Sequence, residues 1–329
     1  MDRPRVFIGE RIPIEVEKYI GKFCDYEKWD SNEKIPRDEL LRKLRDKDGV
    51  ILSSLKIDEE LLDNSPKLRA VSNISVGYNN FDLNAMKKRN VIGTNTPGIL
   101  DDTVADLIMG IILSAARRIP ELDKYVKDGK WKIKDYENLY GVDVHHSTIG
   151  IIGMGRIGEA LAKRAKLGFD AEVIYYNRNR RLDVEEKLGV RYCNFKELLG
   201  KSDFIVLMTP LTSETYHLID FEEFSMMKKT AIFINTSRGK TINEKALIEA
   251  LKNKTILGAG LDVFDIEPVE PDNELLKMSN VISLPHLGSA TKKTSFDMAM
   301  LAAQNLVSAL LEGKTPNIVP ELRELGSDV

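Results

Sequence analysis

Cysteine is nearly absent from this chain: Cys24 and Cys193 are the only two in 329 residues. That excludes a disulfide-stapled secreted scaffold, and four histidines with no ligand-set spacing argue against a structural metal. No apolar run approaches the roughly 20 residues that cross a bilayer, and nothing resembles a signal peptide. An excess of one charge is missing too. With 48 Lys and Arg against 51 Asp and Glu the net charge is −3, so neither nucleic acid nor an acidic membrane is an indicated partner. These absences predict a soluble, reduced, cytoplasmic protein long enough for two domains.

What is present is strand, glycine turn and helix in direct succession, from Thr148 to Lys166. The apolar run Ile149 to Ile152 breaks at Gly153-Met-Gly155-Arg156-Ile157-Gly158 and passes into helical spacing at Ile157, Leu161 and Ala165. In such a turn the first glycine makes the bend, the second admits a pyrophosphate to bare backbone, and the third lets helix and strand pack closely. The phosphates then meet the unpaired N–H groups of a helix N-terminus. A second apolar run, Val173 to Tyr176, ends at Asn177, about 20 residues past the glycines, where the residue facing the adenosine ribose is expected. An acidic side chain there would take a ribose 2′-hydroxyl. This chain has Asn177-Arg178-Asn179-Arg180-Arg181 instead, and guanidinium forks suit a 2′-phosphate. The expectation is therefore NADP in preference to NAD.

The remaining sequence alternates short apolar runs with amphipathic stretches, as in parallel sheets covered on both faces. The first runs are Val6 to Ile8, Val50 to Leu52, Leu68 to Val71 and Val91 to Ile92; a stretch that could expose backbone N–H groups to a small anion, Ser72 to Asn79, follows the third. A long helix is expected from Asp101 to Arg118, then a polar arm over 120–147 bearing Trp131, Tyr136 and Tyr140 and ending in His145-His146, read as solvated surface. Later runs are Phe204 to Met208, Ala231 to Ile234, Ile256 to Val263 and Val281 to Leu284, before a last helix from about Ala290 to Leu311 that could pack back on the first unit.

Ligands bind such sheets at the carboxyl ends of strands. Three segments qualify there: Thr209-Pro210-Leu-Thr, Asn235-Thr236-Ser237-Arg238-Gly, and Asp262 to Pro268. They offer a permanent cation, Arg238, and an acid, Glu267; His286 follows the next strand. Reduction of a 2-oxo acid needs a guanidinium to clamp carboxylate and carbonyl oxygens, an imidazolium to protonate the developing alkoxide, and a carboxylate to orient the imidazole.

With these segments together, the chain resembles the D-isomer-specific 2-hydroxyacid dehydrogenases over nearly its full length, most closely the glyoxylate/hydroxypyruvate reductase branch. The glycine turn, KKTAIFINTSRGKTINEKAL, GAGLDVFDIEP and SLPHLGSAT carry the resemblance. It implies an α/β fold of two Rossmann-like or flavodoxin-like domains with parallel sheets and an active-site cleft between them. Residues 1–98 plus 289–329 would bind substrate, 99–288 would bind the dinucleotide, and the protein would be a homodimer through its coenzyme domains. It further implies His286 as acid/base, Glu267 as its carboxylate partner and Arg238 as substrate clamp. The Val76 and Gly77 amides would hold the substrate carboxylate, with Ser53 nearby. Asp262 and Val104 would lie by the nicotinamide amide, and Thr209, Pro210, Thr236 and Ser237 would join Asn177, Arg178, Arg180 and Arg181 around the coenzyme.

The arm after Gly129-Lys130-Trp131 looks shorter than in reductases of this branch that lend a neighbour's aromatic residue to the substrate site. D-3-phosphoglycerate and D-lactate dehydrogenases remain alternatives, as does, more remotely, a dinucleotide-sensing corepressor. Formate dehydrogenase fits less well, because Glu267 is acidic where that branch has an amide.

Overall fold

Strands alternating with helices produce two parallel sheets. The computed structural model describes residues 3–132 and 136–326, and the chain forms two compact units, Met1–Leu100 with Thr291–Val329, and Asp101–Ala290. The crossings thus fall two residues later than the sequence suggested, where helical geometry begins.

In the first unit the order is β1 (Arg5–Ile8), α1 (Ile14–Phe23), β2 (Asp25–Lys28), α2 (Arg37–Leu44), β3 (Gly49–Leu52), α3 (Glu59–Asn64), β4 (Ala70–Asn73), α4 (Leu83–Lys88) and β5 (Ile92–Thr94). The sheet runs β2-β1-β3-β4-β5, all parallel, which is the flavodoxin-like order. β3 is buried throughout, and this two-sided burial is why it reads as an unbroken apolar run. β4 is buried as well but extends past the expected run Leu68 to Val71 to end in Ser72 and Asn73. β2 was not legible. Its sequence DYEK is largely exposed, and it is a strand because it pairs with β1 in the register Arg5↔Asp25.

The second unit opens with α5 (Asp101–Ala116) and α6 (Ile119–Lys127), so the expected arm begins as a helix. Residues 133–135 of that arm lie outside the described residues. Then come β6 (Thr148–Ile152), α7 (Arg156–Phe169), β7 (Glu172–Tyr176), α8 (Leu182–Leu188), β8 (Arg191–Tyr192), α9 (Phe195–Lys201), β9 (Phe204–Leu207), α10 (Phe221–Met226), β10 (Ile232–Asn235), α11 (Glu244–Lys252), β11 (Gly258–Leu261) and β12 (Val281–Ser283). Here the order is β12-β11-β10-β9-β6-β7-β8, a Rossmann sheet whose direction of winding reverses between β6 and β9. One face packs Phe224, Phe233, Leu247 and Leu251 into a core.

Finally α12 (Lys292–Glu312) returns to the first unit. Thr291 caps it by accepting from the Thr294 amide. Leu306 and Leu310 lie against Gly49 of β3, Ser72 Oγ donates to the Ala302 carbonyl at 2.7 Å, and Asn305 Nδ2 donates to the Asn95 carbonyl at 3.0 Å.

Candidate active site

At the β6 end, Gly153 adopts φ 107°, a conformation that favours glycine, and a Cβ there would lie 2.9 Å from the Met208 carbonyl carbon and oxygen. Gly158 lies on α7 with Gly153 O only 2.7 Å from where its Cβ would be, so helix and strand pack closely. Gly155 precedes α7, and a Cβ on it would meet nothing within 4 Å. That open backbone before a helix N-terminus is the room a pyrophosphate requires. Asn177 fastens the turn: its Oδ1 accepts from Met154 N at 2.8 Å and its Nδ2 donates to Met154 O at 3.3 Å. Arg156 pairs with Asp101 at 3.3 Å, and Ile157 follows it in the first turn of α7.

The three arginines past β7 are each engaged with a carboxylate. Arg178 reaches Glu214 at 3.1 Å with a largely exposed side chain. Arg180 grips Glu185 at 2.7 and 2.6 Å, and Arg181 grips Asp183 at 2.8 and 2.6 Å. The paired guanidinium groups hold the Asp183 and Glu185 carboxyls down at about 2.

Thr209, just past β9, and Thr236, just past β10, carry buried hydroxyl oxygens with no hydrogen-bond partner among the described residues. Orphaned groups at strand ends of this sheet, together with the open turn, fit a bound dinucleotide. Pro210 follows Thr209, and its carbonyl accepts from Thr215 Oγ1 at 2.5 Å. Ser237 is different. Its hydroxyl is spent inside its own loop, 2.8 Å from Asn235 Oδ1 and 3.0 Å from Thr241 Oγ1.

The catalytic candidates converge at the ends of β10, β11 and β12. His286 Nδ1 lies 2.7 Å from Glu267 Oε2, while Glu267 Oε1 accepts from the Phe264 amide at 3.0 Å. Burial pushes the Glu267 carboxyl up, but the His286 and Phe264 hydrogen bonds and the charge of Arg238 hold it below its ordinary value of 4.5. Arg238 donates to the Ser237 carbonyl at 2.6 Å and makes no ion pair among the described residues. Burial lowers its pKa and Glu267 raises it. His286 sits at φ 54°, an uncommon conformation for a residue with a side chain. Asp262 holds that loop: one carboxylate oxygen accepts from Leu287 N at 2.7 Å and the other from Gly288 N at 2.8 Å. Sequence reading placed Asp262 by the coenzyme and missed this bracing. Val104, buried on α5, stands 3.4 Å from where a Cβ on Gly288 would be.

In the first unit, the Val76 carbonyl accepts from Asn95 Nδ2 and the Gly77 carbonyl from Asn73 Nδ2, both at 2.8 Å. The amides of Val76 and Gly77 donate to nothing among the described residues, so the loop presents bare N–H groups. Ser53 donates its hydroxyl proton to Glu10 Oε2 at 2.7 Å. Glu10 went unremarked in the sequence, although its position just past a strand was a signal.

The family model for the D-isomer specific 2-hydroxyacid dehydrogenase, NAD binding domain, matches residues 109–288. A glyoxylate reductase of Thermococcus litoralis is 46% identical over 96% of this chain and 97% of its own length. Glyoxylate/hydroxypyruvate reductase B of Serratia proteamaculans is 44% identical over 97% and 99%. Among solved structures, an NADPH-dependent glyoxylate/hydroxypyruvate reductase of Sinorhizobium meliloti in complex with NADP and malonate matches with a TM-score of 0.85 at 31% identity, over 98% of each chain.

Proposed function

The chain belongs to the D-isomer-specific 2-hydroxyacid dehydrogenases, an oxidoreductase family, and from that premise we propose that it reduces glyoxylate or hydroxypyruvate to the corresponding 2-hydroxy acid with NADPH. The observation that carries the reading is the 2.7 Å contact of His286 with Glu267 in a loop braced by Asp262, beside an Arg238 with no ion-pair partner among the described residues.

The glycine turn from Gly153 to Gly158, with Asn177 securing it, and Thr209, Pro210, Thr236 and Ser237 would hold the dinucleotide, with Asp262 and Val104 towards its nicotinamide. When bound, that group supplies the hydride taken up by the carbonyl carbon. Arg238 clamps the carboxylate and polarises the carbonyl oxygen. Because Nδ1 of His286 is held by Glu267, Nε2 is the nitrogen that delivers a proton to that oxygen. The bare amides of Val76 and Gly77 take the substrate carboxylate; this assignment rests on the family resemblance and the open N–H groups.

We favour NADP over NAD because Arg178, Arg180 and Arg181 follow β7, where the adenosine ribose is expected, and guanidinium groups suit a 2′-phosphate. We place the enzyme in the cytoplasm, where its free cysteines would stay reduced, and as a homodimer joined through the second unit. Among the described residues no helix is long and apolar enough to cross a membrane.

The test is the initial rate of NADPH and of NADH oxidation with glyoxylate, hydroxypyruvate and pyruvate, repeated for His286→Ala. NADPH should be preferred, and loss of the imidazole should lower kcat by about 10²-fold or more. Near-normal turnover in His286→Ala would overturn the acid assignment.

A further inference from the structure

In the first unit the chain leaves β1 for β2 on one side and comes back to β3 on the other, so the direction of winding reverses between β1 and β3. For a sheet of this order the ligand crevice lies outside the carboxyl ends of those two strands. Two polar side chains stand there, Glu10 just past β1 and Ser53 just past β3. Ser53 Oγ donates to Glu10 Oε2 at 2.7 Å, so its hydroxyl proton is not available to an incoming anion. The other oxygen, Glu10 Oε1, is buried and has no hydrogen-bond partner among the described residues. Burial pushes the Glu10 carboxyl above its ordinary range, outweighing the Ser53 hydroxyl and amide, which pull it down. A buried acceptor oriented by its neighbour and left unpaired is what a site built to receive a donor looks like.

We propose that Glu10 determines substrate specificity: Oε1 accepts a hydrogen bond from a hydroxyl on C3 of the 2-oxo acid, selecting a three-carbon 3-hydroxy-2-oxo acid over analogues that lack the hydroxyl. The proposal rests on the reading that Val76 and Gly77 take the substrate carboxylate. They follow β4, the neighbour of β3 in the sheet. Glu10 follows β1, two strand positions from β4, and its carboxylate is tied to Ser53 just past β3, the strand between them. Glyoxylate has no C3 and leaves Oε1 unpaired, and the methyl group of pyruvate sets an apolar group against it.

The experiment measures kcat/KM of the full-length enzyme with NADPH for hydroxypyruvate, pyruvate and glyoxylate, in the wild type, Glu10→Ala and Glu10→Gln. The wild type should prefer hydroxypyruvate to pyruvate by about 10²-fold or more, and Glu10→Ala should cut that ratio by about tenfold or more, chiefly through the KM for hydroxypyruvate. Glu10→Gln keeps the shape and one acceptor oxygen and should give an intermediate ratio. Equal losses on all three substrates, or ratios that stay at the wild-type value, overturn the proposal while leaving the reductase reading intact. A wild type indifferent to the C3 hydroxyl overturns it as well. No turnover by the wild type with any of the three overturns the reductase reading, and this proposal with it.

Discussion

At the scale of single residues, the Glu267–His286 pair makes a pH-dependent prediction. The folded-state pKa of Glu267 lies below its ordinary 4.5, so its contribution to stability is present above about that pH and is lost as pH falls through the folded value. The difference in melting temperature between the wild type and Glu267→Gln should therefore be largest near neutrality and close towards zero below pH 4.5. Melting curves across that range check it, and a difference independent of pH would mean that the carboxylate charge is not what matters. The positions of Arg238, Glu267 and His286 past strand ends were legible because each follows an apolar run in a parallel sheet, where elementary topology puts ligands. Glu10 obeys the same rule but was passed over, because attention in the first sheet fell on Ser53 and on the stretch from Ser72 to Asn79. Nor could spacing reveal that the Ser53 hydroxyl donates a hydrogen bond to Glu10, since the two are 43 positions apart in sequence.

At the scale of elements, legibility followed burial. Strands covered on both faces, such as β3 and β9, are continuous apolar runs, whereas β2 and the two-residue β8 are at sheet edges and owe their geometry to a neighbour. Packing of α5 on the second sheet depends on a small residue that periodicity does not flag. A Cβ on Gly260 of β11 would lie 2.1 Å from Ile111 Cγ2 of α5. Gly260→Ala should accordingly destabilise the protein by about 1–3 kcal/mol through overpacking, read as a lower midpoint in thermal or urea unfolding. An unchanged midpoint would show that α5 can shift without cost. α6 poses the opposite case, an amphipathic helix with no buried residue.

At the scale of the whole molecule, that uncovered helix is the observation behind the proposal of a homodimer. Ile119 and Val126 on α6 are half exposed, and Trp131, Tyr136 and Tyr140 beyond it are more so; apolar residues gathered on one segment usually meet another protein surface. Sedimentation equilibrium should give a dimer for the wild type and a shift towards monomer for Val126→Asp. A monomeric wild type would remove the dimer from the proposal. The return of α12 to the first sheet bears on how a ribosome delivers this protein. The strands of that sheet emerge early, yet the helix that covers β3 and β4 belongs to Thr291–Val329. Translation of the intervening residues 101–290 takes roughly 10–40 s at ordinary rates. During that interval the nascent first sheet waits with an apolar face uncovered, a natural client for chaperones, while the inserted coenzyme unit has everything it needs to fold first.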